Sequence, residues 1–355
     1  MARYLFPGGN TALGFFSFYD HILPEEETRR MIILKGGPGV GKSTFMRRIG
    51  AALAERGHAV EYLICSSDPH SLDGVVARKA GFAIIDGTAP HIVDPRLPGA
   101  ADSLVNLGAF LDETTLSKRK DTIMALRREI SACFARAYRY LAAALLLRDD
   151  EAAIGRATAD EGKLMRMLSP WMQELKGEEE VGAPGKSRSM FASAITPEGY
   201  LHHLETFGAR RLWRITGDWG GESNRLLSLL RHTALLHGQD VETLHSPLNP
   251  RRVEHLYLPA MDLLITTENR YHALPEEAER TLNLEEARGR APTAAEQEAM
   301  RFNEEQFDRL LHSACLSLAR AKALHDELEA EYIPCMDFDG VEHCYEQVEA
   351  LLPGA

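Results

Sequence analysis

The sequence predicts an α/β protein of two tandem domains, each a parallel sheet flanked by helices, with helical insertions. Three observations predict it. A strand-length apolar run leads through a glycine-rich loop into a helical pattern at residues 31–56. Further apolar runs of strand length follow in the order of an α/β unit. The same grammar then returns about 180 residues later.

The first run is Met31 to Leu34, and the helical pattern starts at Phe45 and lasts to about Arg56. Between them stands Gly36-x4-Gly41-Lys42-Ser43, a phosphate-binding loop in its strand–loop–helix context. Gly37, Gly39 and Gly41 let the backbone approach an anion closely, and Pro38, Val40 and Thr44 complete the cradle. The freed N–H groups and dipole of the next helix favour negative charge. Lys42 is the cation for the β- and γ-phosphates, and the Ser43 hydroxyl is a magnesium ligand. The fold class is therefore that of tandem P-loop NTPase-like domains.

Ala59 to Cys65 reads as a second strand, Ser71 to Ala80 as a short helix, and Phe82 to Ile85 as a third strand ending at Asp86. An acid at that strand end is a candidate magnesium carboxylate, although Asp-Gly also opens turns. Ligands gather at the carboxyl ends of such strands, which brings Asp68, His70, Asp73 and His91 toward the loop. Asp68 is the candidate to position water or an acceptor hydroxyl; capping the following helix is its other reading. His91 reads as a loop histidine. Asn-Lys-x-Asp is missing from the sequence, so ATP is favoured over GTP, with Mg²⁺ as its ion. Gly87, not Glu, follows Asp86, which leaves the shape closer to kinases than to motor-type ATPases.

Residues 100–175 read as helices carrying a basic cluster at Lys118, Arg119, Lys120, Arg127 and Arg128, most simply a solvated face. Lys176 to Ser189 reads as a linker, which divides the chain into domains at 1–180 and 190–355. In the second, Gly217 falls on Gly37, Gly221 on Gly41, Ser223 on Ser43 and His272 on His91. Glu222 replaces Lys42, and Thr266 or Thr267 replaces Asp86. A carboxylate in place of the cation costs several kcal/mol against a polyphosphate, so this copy is degenerate and the site is single. The arginines around it, Arg210, Arg211, Arg214, Arg251, Arg252 and Arg270, are available donors to the other half's nucleotide. Glu276 to Gln297 reads as a mobile insertion.

Length and composition agree. With 355 residues, two domains are the prior, and 45% hydrophobic with 26% charged residues is ordinary for a globular protein. A net charge of −12 makes the surface a poor general attractor for nucleic acid or an anionic membrane. The start has no signal-peptide design, and the longest mid-chain apolar run, Tyr140 to Leu147, is shorter than the ~20 residues of a spanning helix. Five scattered cysteines make no disulfide framework. Cys335 and Cys344, with Asp337 and His343, fit no common zinc spacing. A cytoplasmic protein is expected, an enzyme or an ATP-dependent binding protein with a small-molecule or protein partner.

GGPGVGKST, CSSDPHSLD, FAIIDGTAPHIVDPRLPGAAD and the degenerate repeat resemble a family of bacterial tandem P-loop ATPase-like proteins. The resemblance spans nearly the whole chain and implies nucleotide binding without naming a substrate. Its members usually keep a recognisable second phosphate loop, from which Glu222 departs.

Overall fold

The computed structural model describes residues 2–176, 183–217 and 221–354. It is an α/β structure with two mixed six-stranded sheets, flanked by helices. The first half runs β1 (Arg3–Leu5), β2 (Gly8–Thr11), β3 (Gly14–Ser17), β4 (Arg30–Lys35), α1 (Lys42–Glu55), β5 (Glu61–Cys65), β6 (Asp68–Ala77), β7 (Phe82–Asp86) and β8 (Asp102–Asn106). Three helices follow: α2 (Glu113–Ser117), α3 (Lys120–Thr158) and α4 (Glu161–Lys176). The second half repeats the order with β9 (Ser187–Met190), β10 (Ser193–Thr196), β11 (Gly199–His202), β12 (Arg211–Thr216), α5 (Glu222–Leu236), β13 (Val241–His245) and β14 (Val253–Leu258). It closes with β15 (Leu263–Thr267), β16 (Arg280–Asn283), α6 (Ala294–Tyr332) and α7 (Phe338–Glu349).

The strand orders are β1-β5-β6-β7-β4-β8 and, in mirror listing, β9-β13-β14-β15-β12-β16. In each sheet one strand, β6 or β14, runs antiparallel to both neighbours. The expected all-parallel sheets are thus corrected to mixed ones. The cause is β6: Ser71 to Ala80, expected to be a helix, lies mostly in a central strand. Leu72 to Ala77 are all buried, so the two-residue alternation that marks a half-exposed strand is absent. Only β-branched Val75 and Val76 hinted at it.

Three other expectations change. The stretch expected to be helical from residue 100 begins with β8, an edge strand with alternating burial. The last residues of the expected linker, 187–189, belong to β9, which pairs with β13 as an edge strand, while residues 177–182 lie outside the described residues. Glu276 to Gln297 is ordered structure: β16 pairs with β12, and Thr293 and Glu296 form a reciprocal capping box at the start of α6.

The 39-residue helices α3 and α6 pair antiparallel. Arg119 at one end bonds Glu331, and Asp150 at the other accepts from Asn303 at 2.7 Å. Ala137, Leu141 and Ala144 interlock with Phe307, Leu311, Cys315 and Leu318. Among the described helices α3 is the one long and apolar enough to cross a membrane by length and composition; here it pairs with α6.

Packing order differs from sequence order. Leu164, Leu168, Trp171 and Leu175 of α4 join the core of the second sheet, and α4 lies on α5. Val341, Tyr345 and Val348 of α7 join the core of the first, where Tyr345 meets Phe45 of α1 edge-on. Each half thus covers the other with its last helix. Four charged residues fix the seam: buried Arg188 reaches Glu61 at 3.0 and 2.7 Å, and its half-buried counterpart Arg3 reaches Glu242. Phe6 and Phe191 bond each other's backbones at 2.9 and 3.2 Å beside it.

Candidate functional site

The glycine-rich loop leaves β4 and turns into α1 with Gly36, Gly39 and Gly41 at φ of 151°, 68° and 88°, conformations that favour glycine. Val40 is buried and anchors the loop, while Thr44 is exposed on α1. Lys42 is the first residue of α1, whose first turn carries no acid. A cation there opposes the helix dipole. Its Nζ is held by the carbonyls of Gly36 (3.0 Å) and Gly37 (2.8 Å) and lies 3.6 Å from Asp86 Oδ2. Ser43 Oγ accepts the Leu72 N–H at 3.0 Å, which ties α1 to β6.

Asp86 divides its work. Oδ1 accepts from Thr88 N (2.8 Å) and Thr88 Oγ1 (2.6 Å), the turn reading, while Oδ2 faces Lys42. Asp68 stands at the start of β6. Its carboxylate accepts from His70 N and Ser71 Oγ, and Lys322 of α6 lies 3.4 Å away. It shapes the turn and meets a cation from the second half.

Asp73 lies closer to the chemistry. Gly74 pairs with Ile85, so Asp73 stands beside Asp86 on the neighbouring strand. It is 4% exposed, and its Oδ2 has no hydrogen-bond partner. Burial and the charge of Asp86 push its carboxyl up to about 8. His91 Nε2 is 3.7 Å from Asp73 Oδ1, and burial lowers that imidazole to about 4, so it is neutral. Tyr19 stacks on His91 at 4.6 Å between ring centroids, and Tyr19 Oη and His91 Nδ1 also have no partner. Lys35 braces the adjoining loop through the carbonyls of Gly87 (2.9 Å) and Val93 (2.7 Å).

The end of α6 covers the loop. Glu329 Oε1 accepts the Gly39 N–H at 3.2 Å. A Cβ on Gly37 would meet Tyr332 at 3.0 Å, and one on Gly39 would meet Ile333 at 2.9 Å. Beside Gly36 and Tyr332 opens a cavity of about 380 Å³ lined by Leu111, Leu116, Ile123, Met124, Lys120 and Arg127. Lys118, Lys120, Arg127 and Arg128 are exposed, as expected of a solvated face, and Lys120 and Arg127 also border this cavity. Arg119 is engaged with Glu331.

In the second half Glu222 is 5% exposed and accepts from Arg225 Nε at 3.0 Å. As an acid in the first turn of α5 it suits the dipole that Lys42 opposes in α1. The strand register aligns Lys35 with Thr216, so Gly217 falls on Gly36 and not on Gly37 as expected, and Thr267, not Thr266, falls on Asp86, Ile215 pairing with Thr267 as Leu34 pairs with Asp86. Residues 218–220 of the matching loop lie outside the described residues. Five of the six expected arginine donors have acids of the chain's latter helices and sheet or of α3 as partners: Arg210 with Asp262, Arg211 with Glu174 and Glu279, Arg214 with Glu268, Arg252 with Asp149, Arg270 with Asp308. The cation that meets the first site's residues from the second half is Lys322.

Of the residues the sequence points to, Lys42 and Asp86 lie 3.6 Å apart, while the Ser43 hydroxyl bonds Leu72 on β6. Sequence reasoning missed Glu329 and Lys322, whose partners Gly39 and Asp68 lie in the other half of the chain, and Tyr19, brought to His91 by the fold of the first half; no local pattern signals these contacts.

Compared with family models, with curated proteins and with solved structures, the chain matches none of them.

Proposed function

We propose that the chain binds Mg·ATP at one site in its first half and hydrolyses it or transfers its γ-phosphate. The observation that carries this reading is Lys42: a cation at the first position of α1, against the helix dipole, held by two loop carbonyls beside Asp86. An arrangement that is locally unfavourable without an anion becomes favourable once a polyphosphate arrives. Lys42 then moves from the carbonyls of Gly36 and Gly37 to the β- and γ-phosphates. Gly37, Pro38, Gly39, Val40, Gly41 and Thr44 form the cradle, with backbone N–H groups directed at the phosphates. Ser43 and Asp86 fit Mg²⁺, a hard cation that takes hydroxyl and carboxylate oxygens and keeps several waters. Asp73, raised by burial and by Asp86, is a base of suitable strength for a water or acceptor hydroxyl near neutral pH. The cavity beside Gly36 and Tyr332 offers apolar walls for the base, with Lys120, Arg127 and the acid Glu113 also lining it.

A second reading has its own support. Glu329 sits where a phosphate oxygen would accept the Gly39 N–H, and it belongs to the helix that pairs both halves. In an ATP-gated binding protein, nucleotide would displace Glu329 and shift α6 with little turnover. Steady-state ADP release with Mg·ATP, alone and with a panel of nucleosides, sugars and cofactors, separates the readings. Acceptor-stimulated release is the expected result for a phosphotransferase. Tight binding without turnover supports the switch, and no nucleotide binding overturns both.

A further inference from the structure

The degenerate half keeps a buried polar cluster at the place matching Asp73, Asp86 and His91. His255 pairs with Thr266 as Gly74 pairs with Ile85, which puts Glu254 at the position of Asp73. Thr267 takes the position of Asp86, as the strand register shows. His272 follows β15, as His91 follows β7, and packs edge-on against His255 with ring centroids 4.8 Å apart. The acid at the Asp73 position is thus kept as Glu254, the Asp86 position carries a threonine, and His255 adds an imidazole where the first half has Gly74.

Proton accounting in this cluster does not close. Thr266 Oγ1 donates to the Thr267 carbonyl at 2.9 Å and lies 2.8 Å from His255 Nδ1. A hydroxyl has one proton, so His255 Nδ1–H is the donor to Thr266. The other ring nitrogen, Nε2, then carries a lone pair. It has no hydrogen-bond partner, the residue is 0% exposed, and Nε2 faces Glu254 Oε2 at 3.4 Å. Two lone pairs facing each other in a dry site repel unless a proton or a metal cation lies between them. A metal cation between them removes that repulsion and gives the buried, unpartnered Nε2 a partner.

We propose that Glu254, His255 and His272 form a binding site for one divalent metal ion of the zinc class. One ligand atom from each of the three lies within 4.8 Å of the others. Movements of about an ångström bring such atoms onto an ion with bonds of about 2.0–2.2 Å. Two imidazoles and one carboxylate form a donor set that suits zinc better than magnesium or calcium. The far nitrogen of each imidazole meets a threonine hydroxyl, His255 through Thr266 and His272 Nε2 through Thr267 at 3.0 Å, which orients both rings. Tyr200 Oη donates to Glu254 at 3.0 Å and lies 3.4 Å from His272 Nδ1, beside the position a fourth ligand would take. Three protein ligands leave that position open. A second group, His325, Asp326 and Glu329, is more exposed and includes the acid that bonds Gly39, so it serves as the control.

The test is titration of the chelator-stripped full chain with Zn²⁺ against a competing chelator, and with Co²⁺ followed by its visible spectrum. One tight equivalent and a tetrahedral cobalt spectrum are expected in the wild type. His255→Gln and Glu254→Gln should each weaken binding at least about tenfold, whereas His325→Ala should not. Circular dichroism of each variant checks folding, and the cobalt spectrum of the wild type decides the case if neither variant folds. Absence of tight binding, an octahedral oxygen-type spectrum, or binding unchanged in both folded variants would overturn the proposal.

Discussion

Glu329 on α6 accepts a hydrogen bond from the backbone N–H of Gly39 at 3.2 Å, across 290 residues of sequence. A carboxylate from the second half thus takes a loop N–H that the proposed site would direct at a phosphate. A hydrogen bond to a charged acceptor is worth about 1.5–3 kcal/mol. Glu329→Gln is therefore expected to tighten nucleotide binding by about tenfold. Fluorescence titration with a labelled ATP analogue checks it, and unchanged or weaker binding would show that Glu329 does not compete with phosphate.

Lys42→Ala should abolish turnover and strongly weaken Mg·ATP binding, since in the proposed site Lys42 is the loop residue that would supply a cation to the phosphates. A steady-state assay reads the first effect and calorimetry the second. Turnover within about threefold of wild type would remove the site from this loop.

The Asp73 carboxyl, pushed up to about 8 by burial and by Asp86, makes the metal-free protein's stability depend on pH. Between the unfolded carboxyl's pKa, about 4, and that raised value, the folded state holds one more proton than the unfolded. The Asp73 contribution is therefore full below about pH 4 and declines as pH rises toward 8. Asp73→Asn should flatten that decline in chemical denaturation between pH 5 and 8. A variant curve parallel to wild type would place the proton elsewhere.

Arg188 and Glu61 join the halves with both side chains buried. Burial alone would raise the Glu61 carboxyl, but Arg188 and Arg3 outweigh it and hold it down to about 2. This contribution is present above the unfolded value and is lost as pH falls from about 4.5 toward 2. Arg188→Ala, which strands a buried carboxylate, should cost about 3–5 kcal/mol in denaturant unfolding at pH 7 and shift acid unfolding to higher pH. A loss below about 1 kcal/mol would mean that water reaches the seam.

The legible parts of this chain are those written locally. The apolar run into β4, the glycines at positive φ and the lysine at the head of α1 are contiguous, so one window of sequence contains the loop and its cause. The internal repeat was legible for the same reason, as strand, loop and helix recur in order. β6 was not, because a central strand buried on both faces loses its period and the Asp73-Gly74 pair imitates a turn. Nor was the exchange of α4 and α7 visible. Both are amphipathic, and a pattern says that a helix face is buried without saying against which sheet. Asp73 and Glu329 acquire meaning only from register and from the end of a 39-residue helix.

The central claim is one nucleotide site per chain, in the half that keeps Lys42 and Asp86. Calorimetric titration of Mg·ATP into the full chain tests it most directly. The expected result is one equivalent bound, lost in Lys42→Ala and kept in Glu222→Gln. Two equivalents, or a single equivalent that survives Lys42→Ala, would contradict the account.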